Sequence, residues 1–182
     1  MDRRMGVERK IVIYCSASYD IDGKYNQAAR ELTRAACSLG YTIVSGGSIR
    51  GTMGAVAEEV VNCGGRHIGV LPHFMEKFKF PGLTQVIWTD TMADRKEMMR
   101  EGTCAAIALP GGIGTLDELI GTLTLAKLKK YSGKVFALNL DGFYEPLKSL
   151  LDHYVATGML DPGSRELIEF PDTVAELVGH LD

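Results

Sequence analysis

The chain has 182 residues, 46% hydrophobic and 24% charged, with a formal net charge of −3. That balance fits one domain with a real core and excludes a global basic field for nucleic acid. The longest apolar runs fall short of the roughly 20 residues that span a bilayer, and the charged first ten residues lack the apolar stretch of a signal peptide, so a cytoplasmic protein without a membrane partner is expected.

Met1–Arg9 reads as a loose basic arm, and residues 10–182 as a single domain. Lys10–Cys15 (KIVIYC) is a β-branched run, the first predicted strand, ending in Ser16-Ala17-Ser18, small residues that can lie against a ligand. Apolar spacing at Ala28, Leu32, Ala35, Ala36 and Leu39 predicts a helix over Tyr25–Leu39, with Gly40 suited to the position just past its end. Tyr41–Val44 is the second strand. It runs into Ser45-Gly46-Gly47-Ser48-Ile49-Arg50-Gly51-Thr52-Met53-Gly54, a glycine-rich loop opening a helix that continues to about Cys63 and stops at Gly64-Gly65. His67–Leu71 is the third strand. His73–Pro81 is irregular and aromatic, either a lid over a pocket or an ordinary surface loop. Thr84–Trp88 is the fourth strand, and Thr89 or Asp90 caps a helix running to about Glu101. Thr103–Leu109 is the fifth strand, followed by a second glycine loop and a helix from Thr115 to about Tyr131. Lys134–Leu140 is a sixth strand, Phe143–Thr157 a helix, Arg165–Phe170 a short last strand and Val174–Leu181 a terminal helix.

Strand and helix alternate throughout, which predicts an α/β fold: a doubly wound, mainly parallel sheet with helices on both faces. Ligands of such sheets bind outside the carboxyl ends of the strands, at a switch in strand order. Both glycine loops and Ser16–Ser18 fall on that edge. Neither loop has the GxGxxG spacing of a dinucleotide site, and no Lys-Ser/Thr follows the glycines as in a P-loop. A mononucleotide remains open.

The stretch Leu109-Pro110-Gly111-Gly112-Ile113-Gly114-Thr115-Leu116-Asp117-Glu118 carries the densest signal. A tight glycine turn before a helix N-terminus favours an anion such as phosphate, yet the same place holds an acid, Glu118. Two readings stand: T-x-x-E is a capping box, or Glu118 does chemistry on a phosphorylated ligand. Arg95 is equally two-sided. Met92, Arg95 and Met99 share a helix face, with Lys96 one position round; the guanidinium either snorkels to water or meets an anion. His67, His73, His153 and His180 are scattered without metal spacing, and Cys15, Cys37, Cys63 and Cys104 form no CxxC, so no metal or cofactor is expected and the thiols read as reduced. Leu119–Leu128 has more apolar residues than one stripe needs, which points to a homodimer face.

Pro110-Gly111-Gly112-Ile113-Gly114-Thr115-Leu116-Asp117-Glu118 resembles the PGGxGTxxE motif of the LONELY GUY (LOG) family, often labelled possible lysine decarboxylases. Met92-Ala93-Asp94-Arg95-Lys96-Glu97-Met98-Met99 looks like its second signature, and Ser45-Gly46-Gly47 with Gly51-Thr52-Met53-Gly54 is similar to its first glycine loop, although Ser48-Ile49-Arg50 replaces a more glycine-rich centre. The resemblance implies a Rossmann-like fold, usually a dimer, and hydrolysis of the N-glycosidic bond of a nucleoside 5′-monophosphate, a cytokinin ribotide or AMP, to free base and ribose 5-phosphate. It implies Arg95 and Glu118 as the catalytic pair, Gly111, Gly112, Gly114 and Thr115 at the phosphate, and Ser16, Gly46, Gly47, Met92, Lys96 and Thr124 as further binding residues. The alternative is a carrier of the same fold for a nucleotide or molybdenum cofactor. A pyridoxal-phosphate decarboxylase finds no lysine in a convincing Schiff-base setting.

Overall fold

The structure, a computed structural model, describes residues 8–181. Seven strands form one parallel sheet: β1 (Lys10–Tyr14), β2 (Thr42–Ser45), β3 (His67–Pro72), β4 (Gln85–Thr89), β5 (Thr103–Ala108), β6 (Lys134–Ala137) and β7 (Ile168–Glu169), in the order β4-β3-β2-β1-β5-β6-β7. The helices are α1 (Gly23–Ser38), α2 (Gly51–Asn62), α3 (Met92–Arg100), α4 (Ile113–Lys127), α5 (Glu145–Ala156), a single turn α6 (Pro162–Arg165) and α7 (Val174–Gly179). The chain is thus the doubly wound, Rossmann-like α/β fold that the alternation predicts.

Period-two alternation sorts the core. Ile11, Ile13 and Cys15 face the side covered by α1, α2 and α7, with Leu32, Val56 and Leu177. Val12 and Tyr14 face the side covered by α3, α4 and α5, with Met99, Leu119 and Leu151. Both faces are covered, so the central strands read as unbroken apolar runs rather than alternating ones. Strand order reverses between β1 and β5, whose registers pair from Ile11 with Ala105 through Tyr14 with Ala108. The loops leaving these two strands therefore diverge around a crevice, the position that doubly wound sheets give to ligands.

Several boundaries differ from the sequence expectation. α4 opens at Ile113, not Thr115, because Gly112 is already extended and serves as the N-cap without a side-chain bond. It ends at Lys127 rather than near Tyr131: Lys129 adopts a left-handed φ of 56°, and Lys130 N–H turns back to the Leu125 carbonyl at 2.8 Å. Thr91, not Thr89 or Asp90, caps α3, accepting from Asp94 N–H at 3.1 Å. His73–Phe78 is a 3₁₀ helix. Of the expected loose arm, residues 1–7 lie outside the described residues, while Glu8 and Arg9 are fastened. Glu8 accepts from Thr42 Oγ1 at 2.7 Å, and Arg9 lies over the Tyr41 ring, 4.1 Å from its centroid.

Candidate active site

The crevice is a cleft of about 360 Å3. Its walls come from Cys15–Ser18 after β1, Met53 on α2, Met75 of the 3₁₀ helix, Met92 and Arg95 on α3, and Gly112, Gly114, Thr115 and Glu118 at the start of α4.

Arg95 is buried, 7% exposed, and held on three sides. Its Nε donates to the Val70 carbonyl at 3.0 Å, and its Nη1 to Glu118 Oε1 at 2.8 Å. Its Nη2 lies against Gly46, where a Cβ would come within 2.2 Å of that nitrogen and 2.8 Å of Met53 Sδ. The absence of a side chain at Gly46 is therefore what lets the guanidinium fit. The Met92/Arg95/Met99 stripe does not send its arginine to water; the guanidinium meets the acid of the next helix.

The same bond decides the other open reading. A capping box needs Thr115 at the N-cap and Glu118 three residues on. The N-cap is Gly112, so Thr115 is already inside the helix, and the Glu118 carboxylate is bonded to Arg95 rather than to backbone N–H. Glu118 stands one turn beyond that start, on the cleft side. Burial pushes its carboxyl above the ordinary carboxylate range, and the adjoining Arg95 guanidinium opposes that rise without cancelling it.

Beside the pair, the first turn of α4 offers the N–H groups of Ile113, Gly114 and Thr115, which have no carbonyl four residues behind them within the helix. The helix dipole adds positive potential there. Space beside Gly112 and Gly114 is open, whereas a Cβ on Gly111 would fall 2.2 Å from Thr115 Oγ1. Gly111 serves the turn's packing, and Gly112 and Gly114 leave room for a ligand. Tyr144 steadies the loop from below by donating to the Leu109 carbonyl at 2.7 Å.

The remaining expected residues divide. Ser16 lines the cleft; its Oγ accepts from Ser18 N–H at 3.0 Å, and its carbonyl accepts from Met53 N–H at 3.2 Å. Met92 lines it as well. Gly47 does not: it turns the loop at a left-handed φ of 63° and packs against Leu71 and Gly69. Lys96 points to Asp117, with Nζ at 3.1 and 2.9 Å from the two carboxylate oxygens, outside the cleft wall. Thr124 bonds back to the Ile120 carbonyl at 2.8 Å and faces a separate apolar groove between α4 and α5. The spacing of Lys96 and Thr124 along their helices turns both away from the pocket of their own chain.

Met53 and Met75 were not singled out as site residues. Each follows a strand whose carboxyl end reaches the crevice, Met53 within the first glycine-loop motif and Met75 within the irregular segment 73–81. The 3₁₀ helix carrying Met75 is tied down: Ile49 N–H donates to the Phe78 carbonyl and Phe80 N–H to the Gly47 carbonyl, both at 2.8 Å. It forms a wall of the cleft, bonded to the first glycine loop.

Comparison with known proteins places this geometry among relatives. A family described as "Possible lysine decarboxylase" matches residues 53–181. The cytokinin riboside 5′-monophosphate phosphoribohydrolase LOG3 of Arabidopsis thaliana is 37% identical over 177 residues, covering 96% of this chain and 82% of the relative. The probable cytokinin riboside 5′-monophosphate phosphoribohydrolase LOGL2 of Oryza sativa subsp. japonica is also 37% identical, covering 96% and 72%. Among solved structures, the molybdenum cofactor carrier protein of Chlamydomonas reinhardtii superposes with a TM-score of 0.75 at 21% identity, covering 96% of each chain. The molybdenum cofactor binding protein of Rippkaea orientalis does so at 0.72 and 19%, again covering 96% of each. At these identities the structural likeness shows a shared fold only. Among the described residues, no helix is long and apolar enough to cross a membrane.

Proposed function

The chain belongs to the LONELY GUY (LOG) family, the family described as possible lysine decarboxylase, and from that premise we propose that it hydrolyses the N-glycosidic bond of a nucleoside 5′-monophosphate to free base and ribose 5-phosphate. The observation that carries this reading is the buried Arg95–Glu118 pair beside the open N-terminus of α4. The phosphate sits on the N–H groups of the first turn, and Gly112 and Gly114 let it approach the backbone. The ribose then lies over Glu118, one turn further along.

Glycosidic cleavage builds positive charge on the sugar. A carboxylate held under the ring stabilises that charge and accepts a proton from the attacking water as the bond to the base breaks; the departing nitrogen takes up a proton from solvent, so one water is consumed overall. Arg95 keeps Glu118 in place and favours its ionised form, which burial alone would disfavour. The apolar end of the cleft, with Met53, Met75 and Met92, receives the base. Thioethers adapt their shape, so the proposed substrates include both AMP and a cytokinin ribotide. A carrier would gain nothing from an acid beside its anion site, which weighs against the binding-protein alternative.

Two copies of the chain are proposed to meet on α4 and α5. Leu116, Leu150 and Tyr154 are exposed there around an apolar groove of about 400 Å3, and Ile113 is 87% exposed beside it. An apolar face of this kind is rarely left to water. The deciding experiment incubates AMP and a cytokinin ribotide separately with the protein and follows free base by chromatography. Release of base supports the proposal; a nucleotide-dependent rise in Tm without release replaces it with the carrier.

A further inference from the structure

Cys37 and Cys63 are far apart in sequence, and no spacing rule joins them. The fold does. α1 and α2 are successive crossovers on one face of the sheet, so they run in the same direction and pack along their length. Thr52 Oγ1 donates to Asn26 Oδ1 at 2.9 Å near their starts, and Arg34 Nε donates to Glu59 Oε1 at 2.9 Å further along. At the far end, Cys37 is the last residue but one of α1 and Cys63 closes α2. The turn Cys63-Gly64-Gly65 folds over the Cys37 thiol: Gly64 takes a left-handed φ of 63°, and a Cβ on Gly65 would lie 2.8 Å from Cys37 Sγ. The Cys63 thiol faces α1: it donates to Glu59 Oε1 at 3.8 Å, the same oxygen that accepts from Arg34, one turn before Cys37. Cys63 is exposed and Cys37 half-buried.

We propose that Cys37 and Cys63 form a redox-responsive dithiol that closes to an intramolecular disulfide, stapling the C-terminal ends of α1 and α2. The oxidant is a low-molecular-weight disulfide. Cys63, the thiol such a reagent reaches, loses its proton, attacks one sulfur of the reagent and forms a mixed disulfide, releasing one small thiol. Cys37 then loses its proton and attacks the Cys63 sulfur, expelling the second small thiol. Two protein thiols are oxidised, and one small disulfide is reduced to two thiols. Burial pushes the Cys37 thiol up to about 11, which suits it to the second, intramolecular step, where proximity offsets a low thiolate fraction. The other two cysteines lie on neither helix. Cys15 is buried under the cleft, and Cys104 donates to the Lys10 carbonyl at 3.3 Å on β5. The staple lies at the end of α2 opposite Met53 and the cleft, so it stiffens the helix pair without touching the site.

The test treats the whole protein with glutathione disulfide, alkylates free thiols and maps peptides. Expected are an intact mass lower by two hydrogens, a linked Cys37–Cys63 peptide and a Tm higher by roughly 5–10 °C that dithiothreitol reverses. Cys37→Ser and Cys63→Ser proteins, whose reduced Tm reports that they fold, show no such rise. A glutathione adduct persisting on wild-type Cys63, a link through Cys104, or a covalent dimer through Cys63 would overturn the proposal.

Discussion

Glu118→Gln separates charge from shape at the centre of the site. The glutamate side chain is 11% exposed and its Arg95 partner 8%, with the bond between them at 2.8 Å. Glutamine keeps an oxygen that accepts from Arg95 Nη1, and Arg95 keeps the Val70 carbonyl, so the guanidinium stays hydrogen-bonded. The variant loses only the negative charge under the ribose. If that charge acts as base or as stabiliser of the sugar cation, kcat falls by about 10²–10⁴, equivalent to about 2.7–5.4 kcal/mol of transition-state stabilisation. Glu118→Ala does more, because it strands a buried guanidinium. Breaking a buried pair costs about 3–5 kcal/mol, and a chain of this size loses about 2–4 °C of Tm per kcal/mol. Glu118→Ala should therefore melt at least about 6 °C lower, while Glu118→Gln, which keeps the hydrogen bond but not the counter-charge, loses less Tm and is nearly as inactive. The assay is chromatographic release of adenine from AMP, run beside thermal melts of all three proteins. A Glu118→Gln enzyme within tenfold of wild-type kcat would refute the reasoning, since the acid would then be holding Arg95 and nothing more.

The remaining expectations use the same geometry. Because burial raises the Glu118 carboxyl, the protonated, inactive form persists above the ordinary carboxylate pKa of about 4.3; kcat/KM should climb with pH along a limb centred above that value. Arg95 opposes the rise, so Arg95→Gln moves the limb to still higher pH, and a limb left in place in that variant contradicts the assignment. Gly111→Ala, whose methyl would meet Thr115 Oγ1 at 2.2 Å, should lower Tm and activity together, whereas Gly112→Ala, with nothing within 4 Å, should keep Tm and raise KM by entering ligand space; equal effects from both would dispute the phosphate placement. Leu116→Glu combined with Leu150→Glu should turn a dimer into a monomer by light scattering, and an unchanged mass would move the interface elsewhere.

What could be read in advance, and what could not, follows from the range of the interactions involved. The central strands were legible because burial on both faces forces continuous apolar runs such as Ile11–Tyr14 and Ala105–Leu109. The start of α4 was not. Thr115 and Glu118 carry the local pattern of a capping box, and only the distant Arg95, brought from another helix, claims the carboxylate instead. The family resemblance implies Lys96 and Thr124 as binding residues, yet both turn away from their own cleft, because helix phase and not sequence distance sets direction. Cys37 and Cys63 became neighbours only through two crossovers packed side by side. In the proposed reading, the same long-range pairing resolves the apparent conflict at the second glycine loop. A lone carboxylate beside a helix N-terminus would cancel the potential that attracts phosphate. With Arg95 bonded to Glu118 and Lys96 to Asp117, both acids of that first stretch are matched by cations from α3. The proposed phosphate site then keeps the dipole of α4, and the proposed sugar site keeps its carboxylate.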